Sequence, residues 1–153
     1  MRDRIRFLSL FLWAGVAAAC TEPLGPDRVA GTYALQVVAG EALPAVVYSS
    51  SDLVVRVFAD TLDLSNDGTG TQVRTAEYQY PTGAFPTDTV RWDTPFSFRI
   101  VEERIEIVFV CPWDADCVAP PHVIAYRTFG GLRASWALGE RVPQDYVRLT
   151  SAR

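Results

Sequence analysis

The stretch from Phe96 to Phe109 restricts the fold of this chain more than any other. Phe96, Phe98 and Ile100 alternate with Ser97 and Arg99, and Ile105, Ile107 and Phe109 alternate with Glu106 and Val108. With Glu102-Glu103 as the turn, Phe96 faces Phe109, Phe98 faces Ile107 and Ile100 faces Ile105 on one side. Arg99 then faces Glu106 on the other side, an exposed cross-strand pair worth roughly 0.2–1 kcal/mol. A register that agrees on both faces predicts a β-hairpin with one apolar side. Glu-Glu lacks the Gly or Asn that two-residue turns favour, so a longer loop is the alternative.

The same period of two runs from Gly31 to the end of the chain, and no window has a convincing helical period. Asp67-Gly68 predicts a turn joining a strand through Leu62 and Leu64 to one over 71–80, with Leu62 opposite Val73 on a shared inner face. Gly130-Gly131 predicts another, joining 123–129 to 132–138, where Leu132, Ala134, Trp136 and Leu138 share a side. Residues 31–38 open the set, 53–58 come next, 81–88 form a loop and 145–150 close it. The expectation is an all-β domain: an antiparallel meander of eight to ten short strands, forming a β-barrel or a β-sandwich. Closure is favoured because an open sheet leaves edges that pair with other chains.

The N-terminus predicts location. Arg2, Arg4 and Arg6 form a basic start diluted by Asp3, and an apolar run of thirteen follows from Phe7 to Ala19. That run is too short to span a bilayer core of about 30 Å as a helix. Val16-Ala17-Ala18-Ala19-Cys20 ends it. The ending resembles the lipobox of bacterial lipoproteins, although Ala17 stands where Leu is more usual. A plain secreted chain and a retained N-terminal anchor are the other readings. The resemblance implies cleavage before Cys20 and acylation of its thiol and amine. Several acyl chains, at about 0.8 kcal/mol per buried CH₂, hold a protein to a membrane effectively for good. Thr21 follows Cys20, not the Asp that the family often uses for inner-membrane retention, so an outer-membrane site facing the periplasm is favoured.

Three segments follow: a signal peptide over 1–19, a lipidated Cys20 with a short tether over 20–30, and a barrel domain over 31–151. Residues 1–19 hold three Arg and one Asp, so their loss takes the formal charge from −4 to −6. Such a balance argues against nucleic acid as a partner and offers no basic patch for anionic lipid heads. Membrane contact therefore falls to the lipid anchor.

A family resemblance covers most of residues 30–150. Gly31-Thr32-Tyr33-x-Leu35, Val38-Ala39-Gly40-Glu41-x-Leu43-Pro44, Leu62-x-Leu64-x-x-Asp67-Gly68-Thr69 and Tyr146-x-Arg148 together resemble the lipocalin-like bacterial lipoproteins of unknown function. Gly31-Thr32-Tyr33 also resembles the opening Gly-x-Trp of lipocalins, with Tyr for Trp. The resemblance implies a small calycin-type barrel with scope for an apolar cavity, and it carries no catalytic residue across.

With Cys20 given to lipid, Cys111 and Cys117 remain as an even pair in an oxidising compartment. Cys111-Pro-Trp-Asp-Ala-Asp-Cys117 can close on itself as a structural disulfide. The loop-entropy gain for so small a ring is about 2–2.5 kcal/mol. A metal held by Cys111, Cys117 and His122 would have unusual spacing, and no metal or other cofactor is expected. Asp63-x-Ser65-x-Asp67-Gly68 matches half of a calcium loop, but Arg74 stands where the twelfth-position carboxylate belongs; a hairpin turn is the plainer reading. Asp114 and Asp116 read as solvated, and Trp113 as packing over the disulfide. His122 is the only histidine, no Gly-x-Ser-x-Gly turn exists, and the neighbours Glu102 and Glu103 make a poor glycosidase pair. No enzyme is expected.

The function expected is therefore that of a cell-envelope lipoprotein with a lipocalin-like domain. Tyr33, Leu35, Leu62, Leu64, Phe96, Phe98, Ile100, Ile105, Ile107, Phe109 and Trp136 are its candidate cavity or core residues. Either they line a site for a small apolar ligand, or they fill the barrel and the protein acts through surface loops, chiefly 81–88 and 111–117, on protein partners the sequence does not name.

Overall fold

Among the described residues ten strands form one antiparallel sheet, and eight of them close on themselves as a barrel. The computed structural model describes residues 25–83, 85–110, 122–136 and 142–149. A helical turn, α1 (Pro26–Val29), precedes β1 (Gly31–Val38), β2 (Glu41–Ala42), β3 (Ala45–Ser49), β4 (Val54–Leu64) and β5 (Thr69–Gln79). The remaining strands are β6 (Asp88–Val101), β7 (Arg104–Phe109), β8 (His122–Thr128), β9 (Gly131–Trp136) and β10 (Val142–Arg148). From β4 to β10 each strand pairs with the next, and β1 joins β10 to β4. The closed ring is thus β1 with β4 to β10, eight strands, which is a lipocalin-like barrel. β2 and β3 are two extra strands at one end, where β2 folds back antiparallel on the end of β1 and β3 flanks the start of β4.

The two ends of the barrel differ. The base holds the turns 65–68, 102–103 and 129–130, the start of β1 and the end of β10. α1 caps this end: Val29 is fully buried, and the Tyr33 hydroxyl donates to the Val29 carbonyl at 2.7 Å. The mouth, at the opposite end, is framed by β3, the β3–β4 turn and the 80–87 loop. Ser50 ties that turn, its Oγ accepting from the Leu53 amide at 3.1 Å and its own amide donating to the Leu53 carbonyl at 2.9 Å.

The Phe96–Phe109 hairpin has the register read from its alternation, with Phe96 opposite Phe109, Phe98 opposite Ile107, Ile100 opposite Ile105 and Arg99 opposite Glu106. Glu102 makes the two-residue turn feasible by taking φ 59°, a conformation L-residues adopt at some cost. Phe96 meets Phe109 edge-on at 5.4 Å. On the outer face Arg99 Nε donates to Glu106 Oε2 at 2.7 Å, and Arg104 adds a contact at 3.3 Å.

Elsewhere the sequence reading needs correction. Leu62 is opposite Gln72, not Val73, because Ser65, Asn66, Asp67 and Gly68 all lie in the turn and Leu64 pairs with Gly70. One residue of slip turns every side chain of the partner strand over, so Gln72, Arg74 and Ala76 face inward. Residues 53–58 and 62–64 are one strand, β4, made continuous by a bulge at Phe58. The β8–β9 turn is Phe129-Gly130, since Thr128 already pairs with Gly131. β6 runs further toward the mouth than its apolar part suggests. The last part of the expected tether folds as α1, because Val29 has the barrel base to bury into. Cys20, Cys111, Trp113, Asp114, Asp116, Cys117 and Leu138 lie outside the described residues.

Candidate binding cavity

The interior divides into a packed base and an open mouth. Tyr33, Leu35, Leu62, Leu64, Phe96, Phe98, Ile105, Ile107 and Phe109 are buried and form the core, with Ile100 packed against it. Side chains of this size fill the middle of an eight-stranded barrel. None of these residues lines the mouth cavity. Trp136 belongs to β9, where it pairs with Val142.

The mouth holds a cavity of about 460 Å³ lined by Val47, Tyr48, Leu53, Val55, Arg74, Tyr78 and Trp92. Two bulges place these side chains. In β4, Val57 pairs with Ala76 and Ala59 with Thr75, which leaves Phe58 without a partner residue on β5. The extra residue reverses the alternation, so Asp60 and Leu62 face inward below it and Val57 and Val55 above it. In β3 the pairing slips between Val46 and Tyr48, so that neighbouring Val47 and Tyr48 both reach the cavity. Across the barrel wall, Tyr78 and Trp92 pack with ring centroids 5.7 Å apart.

Beneath this apolar rim lies a buried polar network that the sequence reading missed. Asp60 Oδ2 accepts from Gln72 Nε2 at 2.7 Å, Arg74 Nε at 2.8 Å and the Tyr146 hydroxyl at 2.9 Å. Arg74 Nη2 also donates to it. Arg74 Nη2 reaches Gln144 Oε1 at 3.1 Å, and the Tyr146 hydroxyl lies 3.2 Å from the same oxygen. Asp60, Gln72, Arg74, Gln144 and Tyr146 are all buried. Asp60 Oδ1 is buried too, and it has no hydrogen-bond partner among the described residues.

The electrostatics follow from burial. Loss of solvent raises the Asp60 carboxyl above its ordinary value, and Arg74, Tyr146 and Gln72 offset part of that shift. Desolvation, followed by the Asp60 charge, pushes the Tyr146 hydroxyl well above its ordinary range, so it stays protonated and donates. Arg74 and Asp60 form the ion pair of the network. In a weakly polar interior such a pair tolerates the loss of neither member.

The other sequence candidates sit apart from this cavity. Asp67 caps its own turn, accepting from the Thr69 amide at 3.0 Å and hydroxyl at 2.7 Å, and Asp63 accepts from Thr32 Oγ1 at 3.2 Å. His122 is exposed at the start of β8, and Glu102 and Glu103 are exposed in the base turn. Arg74 and Gln72 are residue types that alternation assigns to the solvent side; the one sequence signal for the cavity is the shared parity of Tyr78 with Arg74. No family model, curated protein or solved structure matches the chain.

Proposed function

We propose that this protein is a non-enzymatic lipoprotein of the bacterial cell envelope, anchored by acylated Cys20, whose lipocalin-like barrel binds a small apolar ligand. The mouth cavity carries this reading. Its volume of about 460 Å³ falls in the range of roughly 300–1,000 Å³ usual for ligand pockets, and a mostly apolar wall with a few convergent polar groups is the pattern such sites share. The geometry of anchoring supports it as well. α1 and the start of β1 lie at the base, so a tether leaving that end points the mouth away from the membrane. An outer-membrane position facing the periplasm and a Cys111–Cys117 disulfide complete the proposal.

Native mass spectrometry of the protein purified from its own membrane tests it. A co-purifying lipid-like mass on the wild type, lost in V55W, is expected. A clean apo mass with co-purifying envelope proteins would instead favour action through surface loops. One observation supports that second reading: Phe85 in the 80–87 loop is 64% exposed while leaning edge-on against Tyr80 at 5.2 Å.

A further inference from the structure

We infer that the mouth cavity selects an uncharged amphiphile, one whose aliphatic or ring body lies against Tyr78 and Trp92 and whose hydroxyl- or amide-type head meets Arg74. The inference rests on the cavity being the ligand site proposed above, and it adds the head-group chemistry.

The argument is one of charge balance. Among the described residues, Arg74 is the charged side chain that lines the cavity, and its charge is matched by Asp60. A carboxylate head arriving here would bring a second negative charge to a buried pair that is electrically neutral, and it would leave water to do so. An ammonium head would meet the Arg74 guanidinium, a like charge in a poorly screened place. A neutral head avoids both costs.

Titrating the mature protein calorimetrically with decanol, decanoate and decylamine, at one pH and ionic strength, decides the matter. A change in Trp92 fluorescence, absent in W92F, locates the ligand. The wild type is expected to bind decanol at least tenfold more tightly than either charged analogue. D60N removes the matching charge, so its preference for decanoate over decanol should rise by tenfold or more. Decanoate binding the wild type as tightly as decanol would overturn the head-group inference while leaving the cavity reading intact. A preference unchanged in folded D60N would do the same. If none of the three binds, the cavity reading fails as well. Should D60N not fold, the wild-type series alone is sufficient.

Discussion

The guanidinium carbon of Arg148 lies 5.8 Å from the centre of the Tyr33 ring, joining the end of the last strand to the beginning of the first. Arg148 Nη2 also donates to the Ala30 carbonyl, and the Arg148 side chain runs over Gly31, where a Cβ would come within 2.9 Å of its Nε. The motifs Gly31-Thr32-Tyr33 and Tyr146-x-Arg148, far apart in the chain, thus form one clasp that holds α1 under the barrel. Loss of the clasp should loosen the base without touching the mouth. R148A is expected to lower stability by about 1–2 kcal/mol, from a partly exposed cation–π contact and a charge-assisted hydrogen bond. Denaturant titration together with limited proteolysis around residues 25–30 would show it.

The Asp60–Arg74 pair makes a different prediction. R74M leaves a buried carboxylate without its cation and should cost about 3–5 kcal/mol. The double variant D60L/R74M removes both charges and should recover at least half of that loss. A loss in the double variant equal to the sum of the D60L and R74M losses in urea titrations would show that the residues are independent.

Gly130 and Gly131, adjacent in sequence, should respond unequally to alanine. Gly130 has φ 83° with open space around its missing Cβ, so G130A carries only backbone strain of about 1–2 kcal/mol. A Cβ on Gly131 would stand 1.9 Å from the Tyr146 carbonyl oxygen. Backbone on an adjoining strand cannot move aside, and G131A should cost about 3 kcal/mol or more. Urea midpoints of the two variants give the comparison.

The Glu106 carboxyl supplies a pH dependence. Arg99 first, then Arg104 and His122, hold it below the ordinary glutamate range. A carboxyl depressed in the folded state takes up protons on unfolding at acid pH. Its contribution is therefore complete above the ordinary glutamate range and is lost as pH falls through the depressed value. Asp67, held down by Thr69, acts in the same direction. In E106Q the fall of stability with acidification should be shallower than in the wild type, as thermal melts across the acid range would reveal.

Cysteine chemistry can be tested on the mature protein. With Cys20 acylated and Cys111 bonded to Cys117, no thiol should react before reduction and two should react after it. Reduction should cost about 2–2.5 kcal/mol. Two reactive thiols in the unreduced protein would falsify the disulfide.

Alternation told much of this story in advance, for a physical reason. In a strand, successive side chains point to opposite faces, so the run from Phe96 to Phe109 could specify its pairing from local pattern alone, and its apolar side had to turn to a core. The all-β class and the buried positions of Tyr33, Leu35, Leu62 and Leu64 follow from the same rule. Alternation assigns parity only within one strand, however. Which residue of a neighbour stands opposite depends on how many residues a turn consumes and where a bulge falls, and neither the four-residue turn at Ser65–Gly68 nor the bulge at Phe58 is announced by residue type. Those two adjustments place Arg74, Gln72 and Asp60 inside the barrel. There a charge is tolerable only because Tyr146 and Gln144 arrive from β10, at the other end of the chain, to share its hydrogen bonds. A hairpin can be read from its own residues because its contacts are local; a polar floor cannot, because its stability resides in partners that meet only after the sheet has closed.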